Sequence, residues 1–277
     1  MAAVDTCGCY RLRSYYVSRR VLIVSVLFVV AGIAAAFALP SRASADGSTG
    51  VTTTTTTTTT TTPSRTSSAK TKIESRFPAA GGFLVHTVQI RKTPNPHGPV
   101  IKVLHDFRPD FRPQEILAVS KKIGSDGNVW YRVSIPMRPN NTYGYIPANV
   151  VSLSPTAGQI NIDLSSRTID LFWHNKHVYH AIVAIGAPGR ETPIGHYFVA
   201  ARFVPYHDPF LGVFAVETSA YSKLTEWPGG GVVGIHGTSL PQLLGQAVSH
   251  GCVRVANSTA EKLKRYAPLG TPIWIKK

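Results

Sequence analysis

The sequence predicts a mainly β protein with short helices, built as two β domains behind a long N-terminal extension. Three observations point there. Apolar and polar residues alternate with a period of two in many short runs between residues 81 and 277. Clusters of Gly, Pro, Asn and Asp punctuate those runs. Helix-start patterns are confined to two short stretches, at Pro241 and at Ser258. A length of 277 residues is enough for two domains, and a hydrophobic content of 43% with 16% charged residues is globular rather than disordered.

Residues 1–45 read as a targeting segment. Arg11, Arg13, Arg19 and Arg20 precede Val21–Leu39, which is 19 residues without a charge. That length is close to the roughly 20 residues that span a bilayer. The preceding arginines favour a cytoplasmic N-terminus with the rest exported. Pro40 ends the apolar run, and Ala43-Ser44-Ala45 fits the small-x-small pattern of signal-peptidase cleavage. Two readings stand side by side: a retained membrane anchor and a cleaved signal. A buried core helix fits poorly, because the run has no polar face. Residues 46–80 read as a spacer. Eleven consecutive threonines, Thr52–Thr62, offer too little apolar surface to offset chain entropy.

Residues 81–155 read as a small all-β domain. Short β-rich runs lie at Phe83–Ile90, Val100–Leu104 and Ile116–Val119. The Gly124–Asn128 turn then leads into Val129–Val133, Gly144–Pro147 and Val150–Leu153. The order of turn, Trp130-Tyr131-Arg132-Val133, Gly144-Tyr145-Ile146-Pro147 and Val150-Val151 resembles a bacterial SH3-like barrel. A small β-sandwich is the alternative. Residues 156–277 read as a second β domain. Ile160–Leu164 and Thr168–Trp173 alternate around the Ser165–Arg167 turn as a hairpin. A further turn at His174–His177 precedes a strand from Val178 to Ile185. Residues 202–231 lack periodicity and predict loops over a site. Pro241 opens a short helix to Leu244. Ser258-Thr259-Ala260-Glu261 fits a capping box for a helix to about Tyr266, and Pro272–Ile275 closes the domain as a strand.

Charge and cysteines narrow the function. The chain carries +15 at neutral pH, and residues 81–277 alone hold 20 Lys and Arg against 11 Asp and Glu. No helix with clustered arginine and no aromatic-basic interleaving is present, so a nucleic-acid module is not expected. A basic surface on an exported chain suits an acidic wall polymer, with solubility alone as the plain alternative. Cys7 and Cys9 precede the apolar run, so Cys252 is the one cysteine of the exported part and has no intramolecular disulfide partner there.

The densest chemistry lies in His236-Gly237-Thr238 and Ser249-His250-Gly251-Cys252-Val253-Arg254. A thiol near pKa 8.5 needs a base or a positive field to become a nucleophile. Either His236 or His250 can serve as that base. Gly237 and Gly251 allow close backbone approach, and amide donors there suit an oxyanion site, each worth roughly 3–4 kcal/mol. Arg254 suits the gripping of a carboxylate. The plainer readings are a buried apolar cysteine, a structural histidine and a solvated arginine. A zinc site on His236, His250 and Cys252 would need another ligand and lacks the usual spacing. No metal and no cofactor are expected.

Together with Pro241 and Gly245, these residues resemble the signature of the L,D-transpeptidase (YkuD-type) catalytic domain. Thr192-Pro193-Ile194-Gly195 and Gly270-Thr271-Pro272-Ile273 are similar to two further turns of that family. The resemblance spans about 120 residues, and implies a YkuD-like β-sandwich or barrel with short helices behind the SH3-like domain. It implies that Cys252 attacks a peptidoglycan stem tetrapeptide, that D-alanine leaves, and that a second stem's amine takes the acyl group to give a 3→3 cross-link. His236 matches the general base, the Gly237 carbonyl its orienting partner, and the amides of Gly251 and Cys252 the oxyanion site. His250, Ser249 and Arg254 fall to shaping the site or binding substrate. Carbapenems, as acyl-donor mimics, are expected to acylate Cys252. The competing classes are an L,D-carboxypeptidase or endopeptidase, a wall-anchoring transferase of the same fold, and a non-catalytic wall-binding protein.

Overall fold

Two β-rich stretches, each with its own buried apolar set, run one after the other along residues 80–276. The computed structural model describes residues 79–226 and 228–277. The apolar segment Val21–Leu39 and nearly all of the threonine-rich spacer lie outside these residues. Among the described residues no helix is long and apolar enough to cross a membrane.

The first stretch forms seven strands: β1 (Ala80–Leu84), β2 (Val88–Arg91), β3 (Val100–Leu104), β4 (Glu115–Ile123), β5 (Val129–Ser134), β6 (Tyr143–Pro147) and β7 (Val151–Pro155). They form one sheet in the order β3-β2-β6-β5-β4-β1-β7, and every pairing in it is antiparallel. Leu84, Ile90, Ile116, Val133 and Ile146 fill its core. The run Phe83–Ile90, expected as a short β-rich run, is two strands broken at Val85–Thr87. The break is topological: β1 lies between β4 and β7, whereas β2 lies between β3 and β6, so the chain must change neighbours.

The second stretch forms an eight-stranded sheet in the order β10-β9-β8-β17-β12-β13-β14-β16. Its strands are β8 (Gly158–Asp163), β9 (Thr168–Trp173), β10 (Lys176–Ile182), β12 (Gly195–Phe203), β13 (Ala215–Tyr221), β14 (Val232–His236), β16 (Val253–Arg254) and β17 (Pro272–Lys276). Two short strands, β11 (Ile185–Gly186) and β15 (Ala247–Ser249), pair separately. The expected β8–β9 hairpin forms in register from Gly158↔Trp173 to Asp163↔Thr168. The closing strand β17 pairs in parallel with β8.

Two sequence expectations fail here for physical reasons. Residues 202–231 are not all loop, because β13 runs through them. Its residues are buried on both faces, so no polar-apolar alternation marks it. The helix α1 (Asn257–Tyr266) starts at Asn257 with Ala256 at the cap position and no side-chain cap bond, so the capping box does not form. Thr259 is buried instead, and Asn257 bonds elsewhere, as described below.

Polar ties join the two stretches. Arg108, on the β3–β4 loop, meets Glu217 Oε2 of β13 at 2.5 Å. Asn140 and Tyr221 exchange two hydrogen bonds, from Asn140 Nδ2 to the Tyr221 carbonyl and from the Tyr221 N–H to Asn140 Oδ1. Arg138 donates to the carbonyls of Ser222 and Gly230 and lies 4.6 Å over the Tyr221 ring.

Glu115 opens β4 in a buried position, and burial pushes its carboxyl from 4.5 up to about 7. Its folded value exceeds its unfolded one, so its contribution is whole below about pH 4.5 and is lost as pH rises through about 7. The loss amounts to at most about 3 kcal/mol. Glu115→Gln should therefore be more stable than the parent at pH 8 and lose that advantage at pH 5. Urea melts at the two pH values measure this, and an equal difference at both would refute it.

Candidate active site

The site is built where β14 and β16 pair in parallel, with Ile235 opposite Val253 and His236 opposite Arg254. Cys252 immediately precedes β16 and His236 ends β14. Gly234 lies between them: a Cβ there would stand 3.8 Å from Cys252 Sγ and 3.8 Å from His236 Cδ2. The two side chains therefore converge on the space above that glycine. They open onto a cavity of about 320 Å³ whose other walls include Phe203, Asp208, Phe210 and Glu217.

His236 is only 3% exposed. Its Nδ1 donates to the Gly237 carbonyl oxygen at 2.6 Å. A carbonyl can only accept, so Nδ1 carries the hydrogen and Nε2 keeps its lone pair. Burial pushes the imidazole down to about 4, against the raising effect of the Gly237 bond and with help from the Arg254 charge. The ring is thus a neutral base at physiological pH. Cys252 Sγ accepts the Gly234 N–H at 3.3 Å. Burial pushes its thiol up, while that N–H and Arg254 act in the opposite sense. The resting pair is neutral thiol and neutral imidazole, because burial penalises both charged forms.

Of the two amides expected at the oxyanion site, the structure leaves one. The Gly251 N–H donates to Ser249 Oγ at 3.1 Å, so it is taken. The Cys252 N–H has no partner among the described residues. Ser249 is fully buried and also donates to the Cys252 carbonyl at 2.6 Å. It is therefore the pin of the turn that aims the thiol. Gly251 is needed for its backbone: φ is 114°, a conformation that L side chains rarely adopt.

His250 stands apart from His236. Its Nε2 meets the Arg190 guanidinium, and burial, Arg190 and Arg254 all lower its pKa. Arg254 is not a solvated surface charge, being 7% exposed. Its guanidinium lies 4.5 Å over the Phe210 ring, and its Nε has no hydrogen-bond partner. No carboxylate pairs with it among the described residues.

Three residues that sequence reasoning passed over, or did not assign to the site, hold this arrangement. Thr192 Oγ1 donates to the Gly251 carbonyl and accepts the Gly186 N–H, each at 2.9 Å, so the turn at 192–195 clamps the cysteine loop. Asn257 Oδ1 accepts the N–H groups of Val213 and Thr238 at 3.3 and 3.2 Å, tying the chain just before β13 and the His236 turn to α1. Phe210 covers both His236, at 6.0 Å between rings, and Arg254. It belongs to a short 3-10 turn, Pro209–Leu211, inside the segment expected to form loops over a site. Only an Asn just before a predicted helix hinted at the role of Asn257.

Residues 157–275 match the YkuD family, L,D-transpeptidase catalytic domain. YkuD of Bacillus licheniformis is 30% identical over 117 residues, covering 42% of this chain and 64% of that one. YkuD of Bacillus subtilis strain 168 is 28% identical over 116 residues, with the same two shares. The match therefore spans somewhat less than two thirds of these relatives. A solved L,D-transpeptidase from Mycobacterium smegmatis aligns over 54% of this chain and 90% of its own, at 16% identity and a TM-score of 0.37.

Ser249→Ala would strip the turn of a donor and an acceptor in a buried place. It should cost about 2 kcal/mol of stability and slow the reaction of Cys252 with a small electrophile, because the thiol loses its aim. Urea unfolding and the rate of Cys252 alkylation by iodoacetamide read the two effects. A variant as stable and as fast as the parent would show that the turn holds without the hydroxyl.

Proposed function

Taking residues 157–275 as a domain of the YkuD L,D-transpeptidase catalytic family, we propose that this protein is an extracytoplasmic L,D-transpeptidase that cross-links peptidoglycan stems through a Cys252 thioester. The observation that carries the reading is the convergence of Cys252 and His236 over Gly234, with His236 Nδ1 tied to the Gly237 carbonyl.

The steps follow from that geometry. His236 Nε2 takes the thiol proton as Sγ attacks the carbonyl of the third stem residue. The oxyanion forms beside the Cys252 N–H and in the field of Arg254. As the tetrahedral species collapses, the peptide C–N bond breaks and His236 returns its proton to the departing D-alanine amine. The side-chain amine of a second stem then attacks the thioester as a neutral base, and Sγ leaves and is reprotonated. Arg254 and Arg190 offer the positive charge that a substrate carboxylate would meet, with the neutral His250 beside Arg190. The export segment at 1–45, the spacer at 46–80 and an SH3-like domain at 81–155 that positions the enzyme at the wall complete the proposal. Acylation of Cys252 by carbapenems belongs to the same reading.

Purified protein is incubated with disaccharide-tetrapeptide and followed by intact-protein and product mass spectrometry. Dimer with loss of D-alanine is expected, and none with Cys252→Ala. Tripeptide without dimer would instead make the enzyme a carboxypeptidase with water as acceptor. Absence of both acyl-enzyme and product would overturn catalysis on this donor.

The two half-reactions should separate with pH. His236 is held down to about 4, so it stays an unprotonated base at pH 5, and thioester formation should persist there. The acceptor amine, near pKa 10.4 in water, loses about tenfold of its neutral form per pH unit. Dimer formation should therefore fall steeply from pH 8 to pH 5 while acyl-enzyme accumulates. A dimer rate that is flat across that range would contradict the scheme.

A further inference from the structure

The outer face of the β9–β10 edge carries a group that the transpeptidase reading does not use. Asp170 Oδ1 accepts from His177 Nε2 at 2.7 Å and from His180 Nδ1 at 2.8 Å. One ligand atom from each of the three residues lies within 4.8 Å of the others. In a regular strand His177 and His180, three apart, would point to opposite faces. A bulge between His177 and Tyr179 changes the parity, so that Phe172 faces His177 and Asp170 faces His180. Leu171 and Ile169, opposite Tyr179 and Ala181, stay inward. Bulges re-aim side chains in this way at functional positions. No Lys or Arg is paired with Asp170 among the described residues, so its only cationic partners would be the two histidines. Both imidazoles are about half exposed and open to an ion from solvent.

We propose that Asp170, His177 and His180 form a binding site for a borderline divalent transition metal such as Zn²⁺ or Ni²⁺. Two imidazoles and one carboxylate are the ligand types these ions take, with the remaining positions left to water. Bond lengths of about 2.0–2.2 Å set ligand atoms roughly 3–3.5 Å apart. The two Asp170–histidine distances must therefore each open by about half an ångström, with the ring hydrogens moving to the other nitrogens. The sequence offered no sign of this, since His177 and His180 match no zinc spacing and Asp170 comes from the neighbouring strand. Bound there, the ion would tie the edge strand β10 to β9 well away in sequence from Cys252.

The test uses the full chain, purified without a histidine tag and carrying Cys7→Ser and Cys9→Ser, titrated with Zn²⁺ by calorimetry and with Co²⁺ by visible spectroscopy. One ion per chain is expected, with Co²⁺ d–d bands and no thiolate charge-transfer band. His180→Ala and His177→Gln should each weaken binding by more than the roughly tenfold that even an outer partner is worth, with unchanged circular dichroism. Cys252→Ala should bind normally. Binding that survives both histidine variants, or is lost with Cys252→Ala, would place the ion elsewhere and overturn the proposal. Absence of binding at millimolar metal would overturn it as well.

Discussion

Everything at the thiol depends on two residue pairs of a parallel ladder, Ile235 with Val253 and His236 with Arg254. Side chains two apart on a strand share a face. The register therefore sets Gly234 beside Cys252 on the face that also carries His236 and Arg254. A parallel pair needs a crossover, and here it is the segment 237–252, which is held at several points. Its short strand β15 pairs with β11, and an isolated bridge joins Ala184 to Arg254. Thr192 holds the Gly251 carbonyl, and Ser249 closes the last turn. The Cys252 thiol is thus aimed by backbone pairing and buried hydroxyls. Gly234 completes the constraint by leaving the space over β14 empty. A Cβ alone would meet ordinary contacts there, but anything longer would fill the space on which Sγ and the imidazole converge.

Burial and charge then act on the same three groups. Desolvation keeps His236 and Cys252 neutral at rest, while the Arg254 charge lowers the pKa of both. It favours thiolate and opposes imidazolium, and in the proposed scheme it would assist both the attack and the return of the proton to the leaving amine. A low-dielectric pocket magnifies this field relative to water. The cost is a buried guanidinium with an unpaired Nε, stacked on Phe210 in place of a carboxylate. Such an orphan is expensive in a purely structural role. In the proposed scheme a negatively charged substrate atom would offset that cost.

The β content, the β8–β9 hairpin, the closing strand and the cysteine segment were legible because each leaves a local trace: alternation, turn residues, or reactive types close in sequence. What was not legible has long-range causes. The strand β13 is covered on both faces and so carries no alternation. The split between β1 and β2 follows from which neighbours each strand acquires. Asn257 sits where a capping pattern suggested a helix start, yet its carbonyl is spent on the backbone of residues 213 and 238. The Gly251 amide looked like an oxyanion donor because glycine precedes the cysteine. Only the folded turn reveals that Ser249 occupies it. Neighbours in sequence named the chemistry, and partners distant in sequence decided which atoms are available for it.

A loop of the first sheet grips one wall of this site at Glu217 of β13. Glu217 lines the reactive cavity and is gripped by Arg108 at 2.5 Å, with Arg112 at 3.9 Å and Asp110 bridging the two arginines. All three partners come from the β3–β4 loop. The carboxylate side chains are about a quarter to a third exposed, so the network is partly desolvated and stronger than an exposed pair, without being costly as a fully buried one. The same loop's Arg108 also reaches the Ala200 carbonyl on β12. A cavity wall held by a loop from another sheet cannot shift independently of that sheet. The N-terminal β region is therefore tied through its β3–β4 loop to one wall of that cavity.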